Sequence, residues 1–121
     1  MVLNLAEEIS SLSTQILETD YLVIGTGAMG LAFADELIRC NPTARLILVD
    51  KHAKPGGHWN DAYSYVSLHQ PSAYYGVNSI KLGRGGASLA SGVEVLSYFE
   101  SVIDKLLNTG RVKYFSMCEY Q

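Results

Sequence analysis

Three glycines carry the first chemical signal. In the run LVIGTGAMGLAF, residues 22–33, Gly25, Gly27 and Gly30 stand as G-x-G-x-x-G between an apolar stretch and a helix-forming one. Each glycine of such a turn has its own mechanical task. Gly25 allows a tight turn out of a strand, Gly27 lets the main chain approach a pyrophosphate, and Gly30 lets the helix lie close on the strand. An anion held there meets the helix N-terminus, where unbonded N–H groups and the positive end of the helix dipole favour negative charge. Asp50 stands twenty positions after Gly30. A carboxylate at that place can accept hydrogen bonds from both ribose hydroxyls of an adenosine and repels a 2′-phosphate. The set reads as a dinucleotide site for NAD or FAD, with NADP disfavoured at this turn.

Other reactive side chains form weaker patterns. His52, His58 and His69 have no repeated helical spacing and no companion ligands in a register such as H-E-x-x-H, so no metal site is expected. Each reads as a loop or hydrogen-bonding residue; His58 and His69, within the stretch after Asp50, are of a type that can move protons near neutral pH. Cys40 and Cys118 form no paired motif; Cys118 reads as a small apolar residue, and a reducing, cytoplasmic setting fits both. Tyr63, Tyr65, Tyr74 and Tyr75 suit either a pocket wall or ordinary packing. Lys81 and Arg84 read as a solvated loop. No residue is singled out as catalytic.

The elements that must position these groups follow from periodicity. Residues 21–24 are a short apolar run closed by glycine, the form of a parallel strand buried on both faces. A helix is expected over 28–39, ended by Asn41 and Pro42, and RLILV at 45–49 is a second buried strand. Strand, glycine turn, helix and strand make a βαβ crossover. Residues 51–90 are rich in glycine and tyrosine with little periodicity, and so long an irregular segment is expected to bind something. Ser91 and Glu94 form a capping box that opens a helix to about residue 108, with Leu96, Phe99, Ile103 and Leu106 on one face and Gly110 as its stop. A third strand over 111–115 follows. The three strands should lie in the order 3-2-1, with ligand beyond their C-terminal ends. Ahead of all this, Leu5, Ile9, Leu12 and Ile16 predict an amphipathic helix over 4–18, so the chain divides into an N-terminal helix, 1–19, and a nucleotide-binding unit, 20–121.

The totals bound the function class. The chain has 121 residues, 48% hydrophobic and 17% charged, which fits one globular domain or part of one. A net charge of −3 without a basic run argues against nucleic acid, and no uncharged stretch is long enough to span a bilayer. Glu7 and Glu8 stand where a signal peptide would be positive, so secretion is not expected.

The order VIGTGAMG, LILVD and KHAKPGGHW resembles the FAD-binding N-terminal part of the two-dinucleotide-binding flavoproteins, most closely the flavin-containing and Baeyer–Villiger monooxygenase branch. The resemblance covers residues 20–78 and, more loosely, 91–115. It implies an α/β, Rossmann-like, three-layer FAD/NAD(P)-binding fold with a parallel sheet, here incomplete. It also implies that Gly25, Gly27, Ala28, Met29 and Gly30 contact the pyrophosphate of FAD. Asp50 and Lys51 would contact the adenosine side, and Gly57, His58 and Trp59 the pyrophosphate and ribityl chain. Gln70, in SLHQPSAYYGVNS, stands near the flavin ring where the Baeyer–Villiger branch often has aspartate, which speaks against that reaction in particular. By the resemblance the chain is part of an NAD(P)H-using monooxygenase-like oxidoreductase, incomplete for catalysis at this length. An NAD-binding dehydrogenase domain and a non-catalytic dinucleotide-binding or interaction module, associating through an exposed sheet edge, stay open.

Overall fold

A computed structural model of the chain describes residues 2–3, 15–62, 66–68, 75–83 and 89–121. At the N-terminus Val2–Leu3 (β1) pairs antiparallel with Gln15–Ile16 (β2), Val2 opposite Ile16. The helix expected over 4–18 is therefore corrected at its end: residues 15–16 are extended and 17–19 lie in no helix, while 4–14 fall outside the described residues. Ile16 is β-branched and favours the extended backbone once a ladder partner is available.

The βαβ unit forms as the periodicity predicts: Tyr21–Ile24 (β3), Ala28–Cys40 (α1) and Leu46–Val49 (β4). A short 3-10 helix, Gly57–Asp61, follows, then Gly92–Leu107 (α2) and Val112–Phe115 (β5). The sheet is parallel in the order β3-β4-β5, with Tyr21 beside Leu46 and Leu46 beside Val112. That is the 3-2-1 arrangement. Central β4 is buried at all four positions: Leu46 and Leu48 join the helical core, and Ile47 and Val49 form a second cluster with Leu17, Leu22, Phe115 and Cys118. Alternation of side chains along a strand produces that division.

One expectation fails at β3. Tyr21 is 41% and Ile24 59% exposed, so the strand is not buried on both faces. Among the described residues it pairs along one edge only, and both helices pack together on the opposite side of β4 from Ile47 and Val49. The second helical layer of a three-layer arrangement does not fall among the described residues.

The helical core joins Leu31, Ala34 and Ile38 of α1 to Val95, Phe99, Val102, Ile103 and Leu106 of α2. Leu96, expected on that stripe, is only half-buried, because Val95 and Val102 take the centre of the face. The capping box is present in both directions: Ser91 Oγ accepts from Glu94 N at 3.2 Å, and Ser91 N donates to Glu94 Oε1 at 3.5 Å. Arg111, just before β5, donates to the carbonyls of Ile38, Asn41 and Ala44 at 2.8, 2.6 and 3.2 Å. It thereby caps the C-terminal end of α1 with positive charge.

The described parts of the irregular segment dock on the helices. Leu68, Val77, Leu82 and Ala90 are buried in the helical core. Asp35, itself buried, accepts from Ser79 N at 3.1 Å and from the Ser79 hydroxyl, and Glu36 accepts from Asn78 at 2.8 Å. The Tyr98 hydroxyl accepts from Val77 N at 2.7 Å and donates to Ile80 O at 2.5 Å. Packing and these hydrogen bonds tie the described part of the segment to α1 and α2.

Candidate functional site

The glycine turn has the geometry its spacing predicts. Gly25 has φ +103°, open to glycine and strained for other residues, and its N–H donates to Val49 O at 2.7 Å. A Cβ on Gly30 would collide with the Gly25 carbonyl oxygen, so its glycine is what lets α1 lie against the end of β3. Gly27 is the N-cap of α1, with no side chain capping the helix and no acid in its first turn. The N–H groups of that first turn are left for an outside acceptor. Gly27 has an ordinary φ of −79°; what matters there is space.

That space is set by a second glycine pair. Gly56 N donates to Thr26 O at 2.8 Å, which lays the Pro55-Gly56-Gly57 turn against the first one. A Cβ on Gly57 would come within 3.0 Å of Gly27 Cα, and one on Gly56 within 2.5 Å of Leu96 on α2. Both residues have positive φ, +126° at Gly56 and +55° at Gly57. The two turns pack main chain to main chain: the Gly57 side has no room for a side chain, whereas a Cβ on Gly27 would meet Gly57 Cα at an ordinary 3.5 Å.

Beyond the C-terminal ends of β3 and β4 lies a cleft of about 470 Å³. Of the residues proposed from sequence, Gly25, Gly27, Asp50, Lys51 and Gly57 line it. Ala28, Met29 and Gly30 sit on the adjoining helix start, with Met29 84% exposed. His58 is exposed outside the cleft lining. Trp59 goes elsewhere: it is 7% exposed within the helical core, donates from Nε1 to Tyr75 Oη at 3.0 Å and packs beside Gly92. Its ring is committed to packing, because burying so large an apolar surface with its N–H bonded is the stable arrangement. Tyr75, one of the tyrosines considered for a pocket wall, is its partner. Gln70 and Tyr63, Tyr65 and Tyr74 lie outside the described residues.

Asp50 is the charged centre of the cleft and is only 4% exposed. Its Oδ2 accepts from Thr26 N at 2.7 Å and Thr26 Oγ1 at 2.5 Å, and its Oδ1 from His52 N at 2.9 Å and the His52 ring Nδ1 at 2.9 Å. Burial alone would push its carboxyl up, but these bonds from Thr26 and His52 together hold it below the ordinary carboxylate value. On its other side the His52 ring meets Asp61 through Nε2 at 3.2 Å. Bonding to Asp50 first and Asp61 second raises the imidazole above its usual value. Sequence reasoning missed both partners. Thr26 is an unmarked x of the glycine pattern, and His52 gave no spacing signal. The tail after β5 was also unforeseen: Met117 N donates to His52 O at 3.0 Å and Cys118 N to Asp50 O at 2.9 Å, bringing Cys118, Glu119 and Tyr120 to the cleft wall. Among the described residues no group of three or more His, Cys, Asp or Glu converges on a common point, and no helix is long and apolar enough to cross a membrane.

A parallel 3-2-1 sheet, a glycine turn opening α1 and an acid ending β4 together define a dinucleotide-binding α/β domain. Residues 23–90 match the family described as an NAD(P)-binding Rossmann-like domain, and the chain belongs to that family. An uncharacterized protein of Mycobacterium tuberculosis is 52% identical over 86% of this chain. The match covers 21% of that relative's length, so the chain spans about a fifth of it. A FAD-dependent monooxygenase of Pyrenophora dematioidea is 40% identical over 48% of this chain and 10% of its own. Among solved structures, a flavin-containing monooxygenase from Stenotrophomonas maltophilia superposes with a TM-score of 0.63 at 26% identity, over 74% of this chain and 26% of that one. The resemblance to the N-terminal part of flavin monooxygenases, read from GTGAMG through GGHW, is thereby supported on both sequence and fold.

Proposed function

We propose that this chain is the FAD-binding portion of an NAD(P)H-dependent, monooxygenase-like flavin oxidoreductase. The observation that carries the reading is the packing of the Gly56-Gly57 turn on the Gly25–Gly27 turn at the mouth of a cleft that also holds Asp50 and Lys51. An uncapped helix start, two packed glycine turns and a carboxylate fit the adenosine and pyrophosphate half of FAD. The described residues address that half: Trp59 is a core residue and Gln70 lies outside them.

In this reading the first-turn N–H groups of α1 receive the pyrophosphate, with Gly27 and Gly57 keeping side chains out of its way. Lys51, exposed at the cleft, adds positive charge beside it. Asp50 takes the adenosine ribose. Bound FAD would supply hydride uptake from a nicotinamide nucleotide and the delivery of those electrons to an acceptor such as dioxygen. The residues of this chain hold and orient; the substrate and the residues that act on it belong to the longer protein that the mycobacterial relative represents.

The test is the absorbance spectrum of purified protein, followed by FAD titration of wild type and Gly27→Ala. A Cβ on Gly27 stays 3.5 Å from Gly57 Cα, an ordinary contact, so the variant should fold. Flavin absorbance and a loss of at least about tenfold in FAD affinity in Gly27→Ala are expected. A colourless protein that binds NADH and not FAD would replace the reading with that of an NAD-binding domain, which the description of the matched family favours. Unchanged FAD binding in Gly27→Ala would remove the turn from the site.

A further inference from the structure

Asp50 cannot receive a ribose as it stands. A carboxylate offers about four acceptor positions, and Asp50 uses four, two on each oxygen. A diol that is to bond this carboxylate must displace a donor. Two of the four are main-chain N–H groups, of Thr26 and His52, fixed by the turns that carry them. A third is the Thr26 hydroxyl, on a residue with no exposed surface. The fourth is the His52 imidazole. It lines the cleft, its side chain is 21% exposed, and among the described residues its ring bonds, apart from Asp50, to Asp61, whose own side chain is 76% exposed. Of the four, the imidazole alone can swing away without disturbing the core.

We propose that His52 is a latch on the adenosine subsite: its ring occupies Oδ1 of Asp50 in the free chain and leaves it when the ribose diol binds. The inference rests on the reading of Asp50 as the ribose acceptor given above. It makes binding proton-linked. Held between two carboxylates, the imidazole keeps its proton to higher pH than usual; released from Asp50, it gives up part of that hold. Binding therefore expels protons near neutral pH, and affinity rises as pH rises through the window above the ordinary histidine value. Among the described residues the charged or titratable groups facing this ring are Asp50 and Asp61, with Lys51, Cys118, Glu119 and Tyr120 along the same cleft. Of these, Asp50 and Asp61 are the ones bonded to it.

Calorimetric titration of the 121-residue chain with FAD, from about pH 5.5 to about pH 8.5 in two buffers of different ionisation enthalpy, tests this. Wild type should release protons on binding and bind FAD several-fold more tightly at the alkaline end. His52→Asn should bind FAD with a flat profile and no release. Asp61→Asn alters only an exposed partner, and should move the pH midpoint down while leaving the fold intact. As a second readout, the His52 ring resonances in NMR should titrate above the usual histidine range in the free chain and move toward it with FAD bound. FAD binding that is independent of pH and buffer in wild type would overturn the latch and leave the proposed function standing. Absence of FAD binding at every pH would overturn both.

Discussion

Asp50 and His52 form one electrostatic unit, and their effects on stability run in opposite pH directions. The bonds from Thr26 and His52 place the folded Asp50 below its reference of 3.8, so its contribution is present above that value and is lost as pH falls through the lower folded value. His52 lies above its reference of 6.5 in the fold, so its contribution is complete below that value and fades as pH rises through the raised one. Thermal melts of wild type and His52→Ala should therefore differ most under mildly acidic conditions and converge in alkali. A difference that grows toward alkaline pH would contradict this bonding pattern. Little of the unit was legible in the residues alone. Asp50 was marked by its distance from Gly30, whereas a histidine two positions after it, in a segment without periodicity, offers no sign that its ring folds back onto that acid.

At the level of elements, local rules went far. The ends of α1 follow from the glycine turn and from Asn41 ahead of Pro42, and the start of α2 from Ser91 and Glu94, all interactions within one helical turn. The docking of residues 75–83 on α1 and α2 was not readable, because it depends on partners about twenty to forty positions away. Tyr98 is the test of that docking. Removing its hydroxyl leaves Val77 N and Ile80 O without their partner, so Tyr98→Phe should cost about 1–3 kcal/mol in denaturant unfolding and speed amide exchange at Val77 selectively. Uniform exchange across α2 would show instead that the segment and the helix open together.

For the whole molecule, Phe99 joins the helical core to the site. It is fully buried, packs edge-on to Tyr75 at 6.1 Å between ring centroids and tilted against Tyr98 at 5.4 Å, and lies near the space a Cβ on Gly56 would occupy. Phe99→Ala should cost about 3–5 kcal/mol, a large share of the stability of a domain this size, and should weaken FAD binding by loosening the Gly56-Gly57 turn. A circular-dichroism melt paired with FAD titration checks both effects; full affinity in a destabilised variant would separate core from site. By itself the sequence determined the βαβ order, the glycine turn, the acid that follows and the helix ends, because periodicity, caps and the glycine requirement act over a few residues. Only the tertiary structure decided that Trp59 belongs to the core, that the two glycine turns pack on each other, that β3 keeps exposed side chains, and that His52 covers Asp50. Each of these depends on which distant groups share the space, and that is settled by close packing and by the need to pair buried polar atoms.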